Sequence, residues 1–343
     1  MLMHGAATMS DEEEAGSGED HLIARYFRPL ATHPGAFALL DDAAAIEPPA
    51  GCDLVLKTDG IVGGVHFFAD DPADTVGKKA LRVNLSDLAA KGATPLGFLL
   101  TLALPQEVGE AWLAPFAHGL GADAQLFDCP LFGGDTDRTP GPITISIAVF
   151  GAVPRGKMLR RAGAKPGERL VVTGTIGDAA LGLALRRDPA AAQRWGLTHD
   201  QRNELAQRYL VPEPRTGIAE LLREHASAAM DVSDGLVGDL AKLARVSGVS
   251  ATIEAARVPL SHGTLAALAH HSTLIEPILT GGDDYEVLAS VPPDKVEALR
   301  ARAAAKGVAI TDIGLVSAGT AAPRVLDRDG RPLAFARASF SHF

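Results

Sequence analysis

Cysteine is nearly missing from this chain: Cys52 and Cys129 are the only two among 343 residues. That excludes a disulfide framework and a cysteine-built zinc site, and it fits a reducing cytoplasm. Aromatic residues make up 5% of the chain, too few for a surface on which single-stranded nucleic acid could stack. Basic residues are outnumbered, 32 Lys and Arg against 42 Asp and Glu, for a net charge of −10. This is the wrong sign for a surface that binds nucleic-acid backbones. A small anionic substrate would need divalent cations to bridge it to such a protein. Long apolar runs are absent too. The longest, residues 95–105 and 143–153, reach about half of the ~20 residues that a membrane-spanning helix needs. No basic stretch followed by an apolar one opens the chain, so a signal peptide is not expected. Residues 1–20, with the acidic run Asp11–Glu14, read instead as a disordered leader.

What is present is an irregular alternation of strand-like and helix-like patterns. Residues 53–58 and 65–68 read as strands, 72–91 as a helix, 96–104 as a buried strand, 110–125 as a helix and 143–153 as a strand. Proline and glycine then cluster between Pro154 and Gly167 and mark a domain boundary. Beyond it, strands are expected at 169–173, ending at Asp231, and at 285–291, 310–316 and 324–326. Helices are expected at 178–186, 201–209, 216–224, 236–246 and 294–306. Without a strict strand–helix–strand rhythm, this is an α+β fold rather than a doubly wound sheet. The division is a leader (1–20), an N-terminal domain (21–154) and a C-terminal domain (155–343).

The familiar catalytic signatures are missing. Gly77-Lys78-Lys79 lacks the Ser or Thr of a P-loop, and Pro72 stands where its first Gly belongs. There is no protein-kinase motif pair, no nucleophile elbow and no metal-binding histidine pair of the H-E-x-x-H kind. The unusual feature is aspartate in apolar or glycine-rich surroundings. It occurs at Asp41-Asp42, Thr58-Asp59, Ser86-Asp87, Gly134-Asp135, Asp231 with Asp234, and Asp283-Asp284. Asp53, Asp70, Asp71 and Asp74 read as ordinary turns and caps. Buried carboxylates are expensive unless cations or donors accompany them. Oxygen donors without a Cys or His cluster point to Mg²⁺, and Mg²⁺ beside flexible glycines points to a nucleotide or polyphosphate. Six such motifs spread over both halves suggest one site between the domains.

In this order these residues resemble the thiamine-monophosphate kinase family, part of a superfamily typified by aminoimidazole ribonucleotide synthetase. The resemblance runs from about His21 to the C-terminus. Its most specific pieces are LKTDGIVGGVHF (56–67), KALRVNLSDLAAKGA (79–93), GGDTDR (133–138), RRAGAKPGE (160–168), MDVSDGL (230–236) and GGDDYEV (281–287). It implies a two-domain fold whose N-terminal sheet pairs with a second copy into a dimeric barrel. It also implies ATP-dependent, Mg²⁺-assisted phosphorylation of thiamine monophosphate to thiamine diphosphate, the last step in making that cofactor. The residues it implies are Asp42, Thr58, Asp59, Asp87, Asp135, Asp231 and Asp234 for several Mg²⁺ ions. ATP would meet Gly134, Asp135, Arg161 and Ser233, and the acceptor would meet His66, Asp283 and Phe340. Asp59, Asp87 and Asp135 would lie nearest the reacting phosphates. Leu40 and Lys57 depart from the family pattern, Lys57 standing where a small hydroxyl residue is common. The alternatives are another ATP-using enzyme of the aminoimidazole ribonucleotide synthetase type, or an inactive metal-binding dimer.

Overall fold

The structure, a computed structural model, describes residues 18–337 and 339. Phe340 and the acidic run Asp11–Glu14 therefore lie outside the described residues. The leader expected over residues 1–20 gives way to helix already at Gly18–Leu22.

Two sheets organise the chain. The first holds β1 (Cys52–Val62), β2 (Thr94–Leu104), β3 (Leu131–Arg138) and β4 (Thr144–Pro154), in the order β1-β4-β2-β3. β4 runs antiparallel to both β1 and β2, whereas β2 and β3 are parallel. Strict alternation sorts the side chains to its two faces. Val55 and Ile61 of β1, Phe98, Leu100 and Leu102 of β2, and Ile145, Ile147 and Val149 of β4 enter the core. The helices Ala73–Ala90 and Glu110–Leu126 cover that inner face. They approach closely at Gly77 and Gly119, where an added Cβ would run into the backbone of Phe116 and Asp74 respectively.

The second sheet holds β5 (Arg169–Thr173), β6 (Ala228–Val232), β7 (Ser250–Glu254), β8 (Glu286–Val291), β9 (Ile310–Ser317) and β10 (Arg324–Leu326), in the order β10-β7-β9-β5-β8-β6. Both of its faces are covered. Leu170, Val172, Met230 and Leu288 pack with Leu181, Leu236, Leu240 and Leu243 from the helices Asp178–Arg187 and Leu236–Ser247. On the opposite face Val171, Ala229, Val287 and Ala289 meet Leu221, Leu222 and Leu299, together with Ala90 from the N-terminal half. The helix Ala73–Ala90 thus serves both sheets, and 14 of its 18 residues are buried. An all-round buried helix at the junction explains why its polar residues must find partners there.

The mixed α+β class holds, and several elements differ from expectation. Residues 65–68 form a turn closed by a Gly63–Phe67 bridge, not a strand. Gly133-Gly134-Asp135, where no strand is expected, lies inside β3, because parallel pairing to β2 supplies hydrogen bonds that the local sequence does not announce. At Gly134 an added Cβ would collide with the carbonyl oxygen of Leu100, so glycine is required for that pairing. β7 and the helix His262–His270 have no counterpart in the expected pattern. Among the described residues no helix is long and apolar enough to cross a membrane.

Candidate active site

β1 places Lys57 and Asp59 on its inner face, two residues apart, and Thr58 on the outer one. From the adjoining helix comes Asp87. Lys57 Nζ lies 3.0 Å from Asp59 Oδ1 and 2.9 Å from Asp87 Oδ2. Asn84, one turn earlier on that helix, accepts the Asp59 backbone N–H at 2.8 Å and fixes the strand against it. Ser86, wholly buried, donates to Oδ2 of Asp231 at 2.9 Å, so the helix is joined to β6 of the second sheet. Lys91, at the end of the same helix, donates to the Ala229 carbonyl at 3.1 Å.

Burial governs the electrostatics here. Loss of water, reinforced by the Asp87 charge, lifts the Asp231 carboxyl to about 7, although the Ser86 hydrogen bond and Lys91 oppose the shift. Asp59 is raised as well, first by burial, with Lys57 opposing and Asp87 and Asp234 adding to the rise. Asp234 itself pairs with Lys242, and that ammonium also holds Asp239 at 2.8 Å. Asp239 in turn accepts the backbone N–H groups of Ser233 and Asp234, both at 3.0 Å, and so shapes the loop after β6.

A second group adjoins the first. Gly281 and Gly282 let the chain pass tightly: an added Cβ would meet Ala180 at one and the Ser233 carbonyl at the other. Asp283 and Tyr285 then take left-handed conformations, φ 72° and 52°, which cost non-glycine residues about 1–3 kcal/mol each. Backbone bonds from Asp283 to Ser233 and from Tyr285 to Val232 hold them there. The reward is position. Asp283 Oδ2 faces Lys79 Nζ at 3.2 Å, and that ammonium also donates to the His66 carbonyl at 3.0 Å and sits 4.0 Å from the centre of the Tyr209 ring. Tyr209 donates to the same carbonyl at 3.2 Å, and His66 Nδ1 accepts the Val62 N–H at 3.0 Å. Lys79 and Tyr209 are the residues that sequence reading missed. Lys79 opens the motif run 79–93 without having been assigned a role there, and its side chain is only 3% exposed.

Asp42, Gly134 and Asp135 stand elsewhere. With Asp41, they line a cavity of about 690 Å³ whose other walls include Leu39, Leu99, Phe132 and Phe150. Through the register Asp59–Ile147–Leu100–Gly134, three strand spacings of ~4.8 Å separate Asp59 from Gly134, roughly 14 Å. Asp135 shares the outer face with Thr101 and with Ser146, whose hydroxyl approaches that of Thr58 at 3.4 Å. The structure therefore gathers Asp59, Asp87, Asp231 and Asp234 at the junction, with His66 and Asp283 beside them. It sets Asp42, Thr58, Gly134 and Asp135 apart from that group. Arg161 is exposed, and its charge acts on Lys91. Among the described residues no three His, Cys, Asp or Glu side chains converge into a metal cage.

Two sheets joined through a shared helix, with acids lining the joint, define a class of protein. Residues 40–153 match the family model for the N-terminal domain of AIR synthase related protein, and residues 165–324 match that for its C-terminal domain. The chain belongs to this family. It is 44% identical over 299 residues to thiamine-monophosphate kinase of Caulobacter vibrioides, covering 86% of this chain and 82% of that one. The crystal structure of thiamine-monophosphate kinase from Stenotrophomonas maltophilia K279a superposes with a TM-score of 0.80 at 38% identity, over 92% of this chain and 96% of that one. A solved structure of AaThiL complexed with AMPPCP and TMP matches at 30% identity and TM-score 0.73, over 90% and 97% of the two chains. Within the wider family, the chain belongs to the thiamine-monophosphate kinases.

Proposed function

We propose that this protein uses ATP to phosphorylate thiamine monophosphate, giving thiamine diphosphate and ADP. The observation that carries the reading is the acid-lined junction: Asp59, Asp87, Asp231 and Asp234 beside the His66–Lys79–Asp283 group, in a chain 30% identical to AaThiL, which has been solved with AMPPCP and TMP. In this reading a phosphate oxygen of thiamine monophosphate attacks the γ-phosphorus, the bond to the bridging oxygen breaks, and ADP leaves. A phosphate monoester has its second pKa near 6, so the acceptor is a dianion at neutral pH and needs no general base. Positioning and charge neutralisation then supply most of the rate.

The donor set fits Mg²⁺. It consists of oxygens alone, and the buried Asp231 carboxylate has one protein hydrogen bond and a repelling neighbour, a combination that a hard divalent cation relieves. Asp59, Asp87, Asp231 and Asp234 are the proposed ligands at the junction, and Asp42, Thr58 and Asp135, which stand apart from them, are proposed to hold further Mg²⁺ ions. When bound, Mg²⁺ supplies neutralisation of the phosphate charges that would otherwise keep donor and acceptor apart. Gly134, Asp135, Arg161 and Ser233 are proposed for ATP, and His66, Asp283 and Phe340 for the acceptor. The cationic thiazolium of the acceptor suits the Asp283 carboxylate.

The chain acts as a homodimer in this reading. On the outer face of the first sheet Leu56 is 74% exposed, and Leu54 and Leu99 are exposed beside it, an apolar face that a second copy would cover. Asp135 lies on that same face, so dimerisation would bring new groups to it. With its low cysteine content, the protein is proposed to work in the cytoplasm. The test is ADP release in the presence of Mg²⁺ with different acceptors. It should depend on thiamine monophosphate and not occur with aminoimidazole precursors, and the reverse preference would reject the reading.

A further inference from the structure

Lys57 stands in the middle of β1, on the face that packs against the helix Ala73–Ala90, with Val55 and Ile61 of the same face in the core. Its side chain is 31% exposed, and that of Asp87 is 12% exposed. The ammonium is thus partly shielded from water, although the Asp59 side chain beside it is 41% exposed. It is held within 3.0 Å of two carboxylates from two different elements. Those carboxylates would otherwise face each other uncompensated, with Asp234 adding a third charge nearby. A Mg²⁺ ion sits ~2.1 Å from its ligand oxygens. A dication bridging the same two oxygens would stand almost against the ammonium, and the two cations would repel strongly at that range.

We propose that Lys57 is a resident counter-cation that occupies, between Asp59 and Asp87, a place otherwise open to a divalent ion. The site then binds one divalent ion fewer than the same site carrying a neutral residue at this position. The inference rests on the reading of the junction as a Mg²⁺-nucleotide site. It concerns the number of ions, not the reaction.

The experiment counts Mn²⁺ bound per chain by electron paramagnetic resonance, in the presence of saturating AMPPCP. It compares the unmodified protein, Lys57→Ser, Lys57→Met and Lys57→Arg, each checked for its fold by circular dichroism. Lys57→Ser and Lys57→Met should each bind one additional Mn²⁺ per chain, and Lys57→Arg should keep the original count. Thermal melting gives a second readout: Mg²⁺ alone should raise the melting temperature of Lys57→Ser more than that of the unmodified protein. Equal, non-zero counts in all four proteins would overturn the role of Lys57 and leave the metal reading intact. No Mn²⁺ beyond that carried by the free nucleotide, in any of the four, would overturn both.

Discussion

The hydroxyl of Ser86 donates to Asp231 at 2.9 Å, and both side chains are buried. This bond carries the helix of the first sheet onto the edge strand of the second. Its acceptor is held at a cost, because burial and the Asp87 charge lift the carboxyl to about 7. The folded value lies above the unfolded one, so the folded state binds the proton more tightly. The stability this gives is fully present below about pH 4 and is lost as pH rises through 7. In metal-free protein, Asp231→Asn should therefore raise the melting temperature by a few degrees at pH 8 and by much less at pH 5. Equal shifts at both pH values, or a loss at pH 8, would contradict this account of Asp231.

Asp87 touches Lys57 and repels Asp231, so its charge belongs to the site more than to the fold. Asp87→Asn should keep the far-ultraviolet spectrum and lower kcat by roughly 100-fold or more at low Mg²⁺. Unchanged turnover would remove Asp87 from the site.

Lys79 holds the His66 carbonyl, Asp283 and the Tyr209 ring together, the group proposed to meet the acceptor. Lys79→Met should raise the KM for thiamine monophosphate several-fold and leave the KM for ATP nearly unchanged. Both constants intact alongside a lowered melting temperature would make Lys79 a purely structural residue.

Leu56, on the open face of the first sheet, should be covered if the chain pairs as proposed. Leu56→Glu places a charge in that interface, so sedimentation at micromolar protein should shift from the dimer to the 35.6 kDa chain. An unmodified protein already sedimenting at 35.6 kDa would rule the dimer out.

Much of the architecture could be read because the core strands obey period two and the helices bury apolar stripes. Arg169–Thr173 and Arg324–Leu326 fall where their patterns say. β3 could not be read, since Gly133 and Gly134 look like a turn until a parallel neighbour supplies their hydrogen bonds. The acids of the candidate site stood out in the sequence, because an aspartate among apolar residues needs a reason. Its division was not legible. Adjacent residues such as Thr58 and Asp59 fall on opposite faces of one strand, which becomes informative only once the sheet and its cover are known. Tyr209 was hidden for a related reason: it lies in a polar-looking helix, His199–Leu210, whose buried side is narrow.

The proposed reaction is direct transfer of a phosphoryl group between two small molecules at the junction. Its most direct measurement follows the label from [γ-³²P]ATP in the presence of Mg²⁺ and thiamine monophosphate, with products separated by chromatography. Label is expected in the terminal phosphate of thiamine diphosphate, one molecule for each ADP formed, with no labelled protein along the way. Label released as inorganic phosphate without thiamine diphosphate would contradict it.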